Sequence, residues 1–138
     1  MDKASFTFGN YTFTKVNLDL STIYSRNDEF QVDIDPSGML DERTGVYELS
    51  LTLSIKAKEA VVIFIQCEAT FMFGKSLLIE ELPSFFYANA IAILFPYVRA
   101  FISTITLQAN IHPFVLPTYN LSSLQSVLKE HTSKKAER

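Results

Sequence analysis

"VYELSLTLSIKAK", residues 46–58, alternates without exception from residue 48 onward. Leu49, Leu51, Leu53, Ile55 and Ala57 are apolar, and Glu48, Ser50, Thr52, Ser54, Lys56 and Lys58 between them are polar. Period two is the mark of a β-strand that buries one face and leaves the other in water. A chain built around such a strand needs a sheet with one covered face, and something apolar to cover it.

The segments on either side supply the rest of the sheet. "AVVIFIQCEATFMF" (60–73) follows a tight turn near Lys58 and Glu59. Its odd positions from Val61 to Phe73 are all apolar and are expected to face inward, Cys67 among them. Val62 and Phe64 would then point outward on a face that is otherwise polar. "FQVDID" places Phe30, Val32 and Ile34 on one side of a second strand, and "DPSGMLDERTG" after it reads as loop, punctuated by Pro36, Gly38 and Gly45. "SFTFGNYTFTKVNLDL" also alternates, but its phase slips twice: Phe6 and Phe8 are even, Tyr11 and Phe13 odd, Val16, Leu18 and Leu20 even. Slips of this kind predict bulges in a long strand, the first beside Gly9.

The second half reads as helices. "AIAILFPYVRAFISTITL" (90–107) is almost wholly apolar, with Pro83 upstream as a first-turn residue and Pro96 placed to kink it. Asn89, Ala92, Pro96, Arg99, Ser103 and Thr106 form one narrow stripe of small or polar groups at helical spacing. A helix apolar around the rest of its girth is buried on nearly all sides. One sheet covers one side, so the remainder needs lipid or another subunit. Arg99 near the middle argues against lipid, where a charge costs roughly 2.5–3.5 kcal/mol on insertion scales, and the amphipathic strands call for a soluble domain. An oligomer interface is expected, made by Ile91, Ile93, Leu94, Phe95, Tyr97, Val98, Phe101, Ile102 and Ile105. "IHPFVLPTYN" (111–120) is an apolar extended loop pinned by two prolines, and Asn120 is a suitable N-cap for a short helix bearing Leu121, Leu124, Val127 and Leu128 on one side. The fold class is α+β: a four-stranded antiparallel sheet with two helices packed on one face.

Composition narrows the function. The chain has 138 residues, enough for one domain, with 48% hydrophobic residues, twelve Phe and no Trp. We divide it into a single domain, 1–130, and a disordered basic tail, 131–138. A net charge of −3 gives nucleic acid no electrostatic support. The lone Cys67 rules out an internal disulfide and fits a reducing cytoplasm, and "MDKASFTFGN" lacks the layout of a secretion signal. His112 and His131 stand nineteen positions apart with no neighbouring ligand pattern, so no metal or cofactor is expected. No phosphate-binding glycine loop, nucleophile elbow or carboxylate pair is present, which removes enzymes from the leading classes. The acids Asp28, Glu29, Asp33, Asp35, Asp41 and Glu42 read as a solvated face, with a docking patch as the lesser alternative.

"ILFPYVRAFI" (93–102) followed by "HPFVLPTYNL" (112–121) resembles the SecB family of protein-export chaperones. Leu94, Phe95, Pro96, Tyr97 and Arg99 match its helix motif, Asn120 the end of its loop, and "VYE" (46–48) the opening of its third strand. The resemblance runs from about residue 5 to 128 and is closest over 93–121. It implies a homotetramer, a dimer of dimers with long helices in the interface. It also implies an ATP-independent holdase that wraps unfolded polypeptides over long apolar grooves. Two departures bear on the export motor SecA. The family's outer-face Leu-x-Glu aligns with Val62-Ile63-Phe64, and its acidic tail is replaced by "SKKAER". Val62 and Phe64 therefore mark a face that docks a partner other than SecA, or docks SecA in a different way; the alternative is that the N-terminal segment or a neighbouring subunit covers them. Some relatives guard the antitoxin of a toxin–antitoxin pair, and a scaffold without client binding is a further alternative. Groove candidates are apolar residues on loops and on the last helix: Met39, Leu40, Leu77, Leu78, Ile79, Phe114, Val115, Leu116, Leu124 and Leu128. Each is either core or groove.

Overall fold

The computed structural model describes residues 5–21, 29–58, 60–116 and 121–136. Strands β1 (Thr7–Leu18), β2 (Phe30–Asp41), β3 (Val46–Ala57) and β4 (Ala60–Met72) precede a single 3-10 turn (Ile79–Glu81). Helices α1 (Ser84–Gln108) and α2 (Ser122–Glu130) follow, and a short β5 (Thr132–Lys134) comes last. The sheet order is β1-β4-β3-β2-β5. All neighbours are antiparallel except β2 and β5, which run parallel over Gly38–Leu40.

Strand β3 lies at the centre, and its inward residues Tyr47, Leu49, Leu51, Leu53, Ile55 and Ala57 are fully buried. They meet Phe86, Ile91, Leu94, Val98 and Ile102 of α1 in one core. Cys67 is buried on β4 as its phase requires. The two slips in β1 are bulges, at Gly9 and at Thr14, where the register with β4 shifts. The β3–β4 turn closes with Ala57 opposite Ala60, and Lys58 adopts a left-handed conformation there.

Four expectations are corrected. The sheet has five strands, because Thr132–Lys134, within the segment expected as a disordered tail, pairs with β2. The second is that β2 does not stop at Asp35 but runs on through Pro36 and Gly38 to Asp41, so Met39 and Leu40 lie on a strand and only residues 42–45 turn. Gly38 is needed there, because a Cβ would collide with the Tyr47 hydroxyl that passes over it. Third, Val62 is not outward: it is 1% exposed, while Val61 is exposed. Ile55 pairs with Ile63 and Lys56 with Val61, which leaves Val62 as the extra residue of a bulge that turns it and Ile63 to the same side. Phe64, beyond the bulge and opposite Ser54, stays half-buried. Last, Ile91, Leu94, Phe95, Val98 and Ile102 are core of a single chain rather than interface, since the sheet takes that side of α1.

Helix α1 continues through Pro96, whose missing N–H falls on the exposed side. By length and composition α1 could cross a membrane, a profile it shares with core helices of soluble domains. The cap expected at Asn120 lies outside the described residues; Leu121 precedes α2.

Candidate functional site

The crossover from β4 to α1 is apolar yet fixed. Gly45, in a left-handed conformation that L side chains rarely adopt, lies against the Lys75 backbone and accepts a hydrogen bond from the Phe73 N–H at 2.9 Å. The Glu42 carboxylate accepts from the Ile79 N–H at 2.8 Å, and its carbonyl from the Leu77 N–H at 2.9 Å. Glu81 accepts from the Leu78 N–H at 2.8 Å. With the backbone held in this way, Leu77 turns into the core, Ile79 is half-buried, and Leu78 is left 55% exposed.

The 112–116 loop is held by the polar end of the α1 stripe. Ser103 donates to the Phe114 carbonyl at 3.1 Å, and the Phe114 N–H donates to the Thr106 hydroxyl at 2.9 Å. The stripe therefore does not face one environment. Ala92 and Pro96 are exposed, Arg99 and Ser103 half-buried, and Thr106 buried as the seat of the loop. Phe114 packs edge-on to Phe30 with ring centroids 4.9 Å apart. Leu116 is buried, and Val115 is 66% exposed.

Of the groove candidates, Leu40, Leu77, Leu116 and Leu128 are core. Ile79, Phe114 and Leu124 are half-buried, and Met39, Leu78 and Val115 are open. The open ones are not gathered in one place. Leu78 lies beside the turn that ends β2, and Val115 beside its start at Phe30. Met39 points to the face of the sheet away from the helices. There it lines a shallow cleft of about 280 Å³ with Glu48, Glu68, His131 and Ser133.

Two further apolar surfaces stand open: the part of the expected α1 interface that the sheet leaves uncovered, and a face of β1 that the sequence did not single out. On α1, Phe85, Tyr97 and Leu107 stand open along with Ala92, Pro96 and Ala100, while Ile93, Phe101 and Ile105 are half-buried. On β1, Tyr11 lies 4.4 Å from Tyr97 between ring centroids, and Phe13 stacks on Phe101 at 4.0 Å, yet Tyr11 and Val16 remain exposed. On α1 the expected interface included Ile93, Tyr97, Phe101 and Ile105 but not Phe85 or Leu107. The buried Arg99 Nε has no hydrogen-bond acceptor among the described residues.

Among the described residues no reactive group stands out. Burial pushes the Cys67 thiol up to about 11, with the neighbouring Glu68 charge adding to it, so the thiolate nucleophile is suppressed. Burial likewise raises the Tyr47 hydroxyl, which bonds to the Thr132 hydroxyl at 2.7 Å, and the Tyr87 hydroxyl. Among the described residues no group of three or more His, Cys, Asp or Glu is arranged to hold a metal ion.

These surfaces sit on a fold with known counterparts. The chain matches the structure of the Mycobacterium tuberculosis SecB-like chaperone Rv1957, solved in complex with a ChAD peptide from the HigA1 antitoxin Rv1956. The TM-score is 0.66 over 83% of this chain and 88% of that one, at 11% identity, a likeness of fold. The protein MJ0357 of Methanocaldococcus jannaschii is 27% identical over 144 residues, covering 96% of this chain and 92% of the relative. The family model for SecB, the preprotein translocase subunit, matches residues 13–131. With both helices and most of the sheet inside that match, the chain belongs to the SecB family.

Proposed function

We propose that this protein is an ATP-independent holdase of the cytoplasm that binds unfolded polypeptide segments on apolar surface at the margin of β2. One observation carries the reading: Leu78 and Val115 are left open on segments whose backbones are tied down by Glu42, Glu81, Ser103 and Thr106. An apolar side chain held in water by an ordered loop is a binding surface already built. In an aggregation assay with an unrelated unfolding enzyme, the chain suppresses light scattering at near-stoichiometric ratio and without nucleotide. No suppression at any ratio would end the reading.

The uncovered side of α1 supports assembly as a dimer of dimers. Ala92, Pro96 and Ala100 allow close approach, and Tyr97 at 41% exposure offers an anchor. Light scattering after size exclusion tests it: a tetramer is expected, and a monomer at micromolar concentration would refute it.

A second reading is a chaperone dedicated to one partner such as an antitoxin, favoured by the antitoxin peptide bound to the Rv1957 neighbour. It predicts capture of one native partner and little general suppression. Handoff to SecA is not part of either reading. The aligned position lacks a glutamate, and with Val62 turned inward only Phe64 remains on the outer face.

A further inference from the structure

The outer edge of β2 is covered for half its length. Even-numbered residues of this strand turn their main-chain groups away from β3: the Gly38 N–H donates to the His131 carbonyl at 3.2 Å, and the Leu40 carbonyl accepts from the Lys135 N–H at 2.7 Å. Pro36 ends the covered part. It has no N–H to offer, and its carbonyl lies 3.3 Å from His131 Nδ1. By the same parity, Phe30, Val32 and Ile34 direct N–H and C=O groups to the edge, and no bond from this edge to another segment is present among the described residues. Their side chains are half-buried toward the helices, with Phe114 beside Phe30. The alternate side chains Asp33 and Asp35 are exposed on the outer face, Asp33 3.8 Å from Lys56 and Asp35 3.5 Å from His131.

We propose that the Phe30–Asp35 edge binds an extended polypeptide by strand addition, taking segments that alternate apolar residues toward the helices with basic residues toward Asp33 and Asp35. The inference rests on the holdase reading and specifies how a client is gripped. Main-chain bonding suits a binder of many sequences, because every polypeptide carries the same donors and acceptors. The protein's own tail demonstrates the mode: β5, of sequence Thr-Ser-Lys and followed by Lys135, already pairs with the same edge. The opposite edge of the sheet is less suited, since the bulges at Gly9 and Thr14 break the register of β1.

The test uses the full chain and a short fluorescent peptide alternating valine with lysine. Two further peptides carry N-methyl groups, one on the valine nitrogens and one on the lysine nitrogens. Strand addition presents only one of these sets to the edge, so one methylated peptide binds about tenfold or more weakly, the loss of two or three backbone bonds, and the other binds like the parent. Loss in the lysine set indicates pairing parallel to β2, as in β5, and loss in the valine set antiparallel pairing. Equal binding of all three, or equal weakening by both methylations, overturns the inference and leaves the holdase reading standing. So does failure of the parent peptide to bind while aggregation is still suppressed. Absence of both peptide binding and suppression overturns the two together. A second arm is Ile34→Pro, which removes an edge-facing N–H at the parity where Pro36 is already accommodated. It weakens the parent peptide about tenfold with an unchanged circular dichroism spectrum. If it instead dissolves a dimer and leaves peptide binding intact, the edge belongs to a second copy and the inference fails.

Discussion

Strands β1 and β3 have the same length, 12 residues each, and both alternate apolar with polar residues. Their fates differ. Every inward residue of β3 from Tyr47 to Ala57 is sealed, whereas no residue of β1 is fully buried. The difference lies in neighbours: β3 has a strand on each side and α1 across its face, while β1 has β4 on one side and only the flank of α1 above, through Tyr97 and Phe101. Alternation therefore reports which side chains seek cover, and position in the sheet decides how much one chain supplies. What β1 lacks in cover is apolar surface left open to water, Tyr11 and Val16 in particular.

The largest expected effect sharpens this contrast. Leu51→Ala on β3 opens a cavity in a sealed core and lowers stability by about 2–5 kcal/mol in urea unfolding. Phe13→Ala on β1 removes a half-buried ring and costs about 1–2 kcal/mol. Equal losses would mean that β1 is as well covered in solution as β3, and would break the comparison.

A smaller effect tests the margin of β2. Gly38→Ala drives a Cβ into the Tyr47 hydroxyl and destabilises by about 2 kcal/mol. Tyr47→Phe alone loses the bond to Thr132, about 1 kcal/mol. The double variant recovers only part of the first loss, because the nearest clashing atom, the hydroxyl oxygen, is gone while the ring carbon that bore it still crowds the new Cβ. Simple additivity in a double-mutant cycle would disprove the contact.

Smaller still is a pH effect from the core. The folded state raises the Cys67 thiol to about 11, so it binds this proton more tightly than the unfolded chain does. The stability linked to it is complete below the unfolded thiol value and declines as pH rises toward 11. Urea midpoints at increasing alkaline pH should fall more steeply for wild type than for Cys67→Ala. Parallel slopes would contradict the burial of the thiol.

The smallest stability change belongs to the open loops. Leu78→Asp and Val115→Asp stay within about 0.5 kcal/mol of wild type because each side chain already faces water. Their suppression of aggregation falls all the same. Unfolding of both variants would show that these residues are covered in the working protein.

Much of the fold was legible because period and phase are local properties. The unbroken alternation of β3, the inward Cys67 and both bulges of β1 follow from residue order alone. The remainder depended on partners. Pro36 and Gly38 punctuate most chains, but Pro36 turns its nitrogen away from β3 and lies beyond the three residues that β5 pairs, so it forfeits no ladder bond, and Gly38 clears a path for Tyr47. The inversion at Val62 is set by pairing with β3, which the composition of β4 does not encode. Three polar residues carry no periodic signal, so β5 was invisible. A helix apolar around most of its girth does not announce which side the sheet will take, and more than half of the expected interface on α1 proved to be core for that reason. The groove set divided in the same way: being on a loop distinguished Leu78 and Val115 from Leu77 and Leu116 no better than chance, because the bonds of Glu42, Glu81, Ser103 and Thr106 choose which neighbour turns outward.

The strand order also sets a timetable. β2, β3 and β4 are consecutive hairpin neighbours and close over short stretches of chain, whereas β1 must reach past both of them to pair with β4. Loops that span more chain close later. Strand β1, made before the strand it pairs with, is then one of the last to find its place, and it waits with Phe8, Tyr11 and Phe13 unshielded. A chain in this state is briefly the kind of client that its finished form is proposed to hold, and crowded synthesis would bring nascent and mature copies together. Pulsed hydrogen exchange during refolding should show β3 and β4 amides protected before those of β1; simultaneous protection would mean that the sheet forms as one unit.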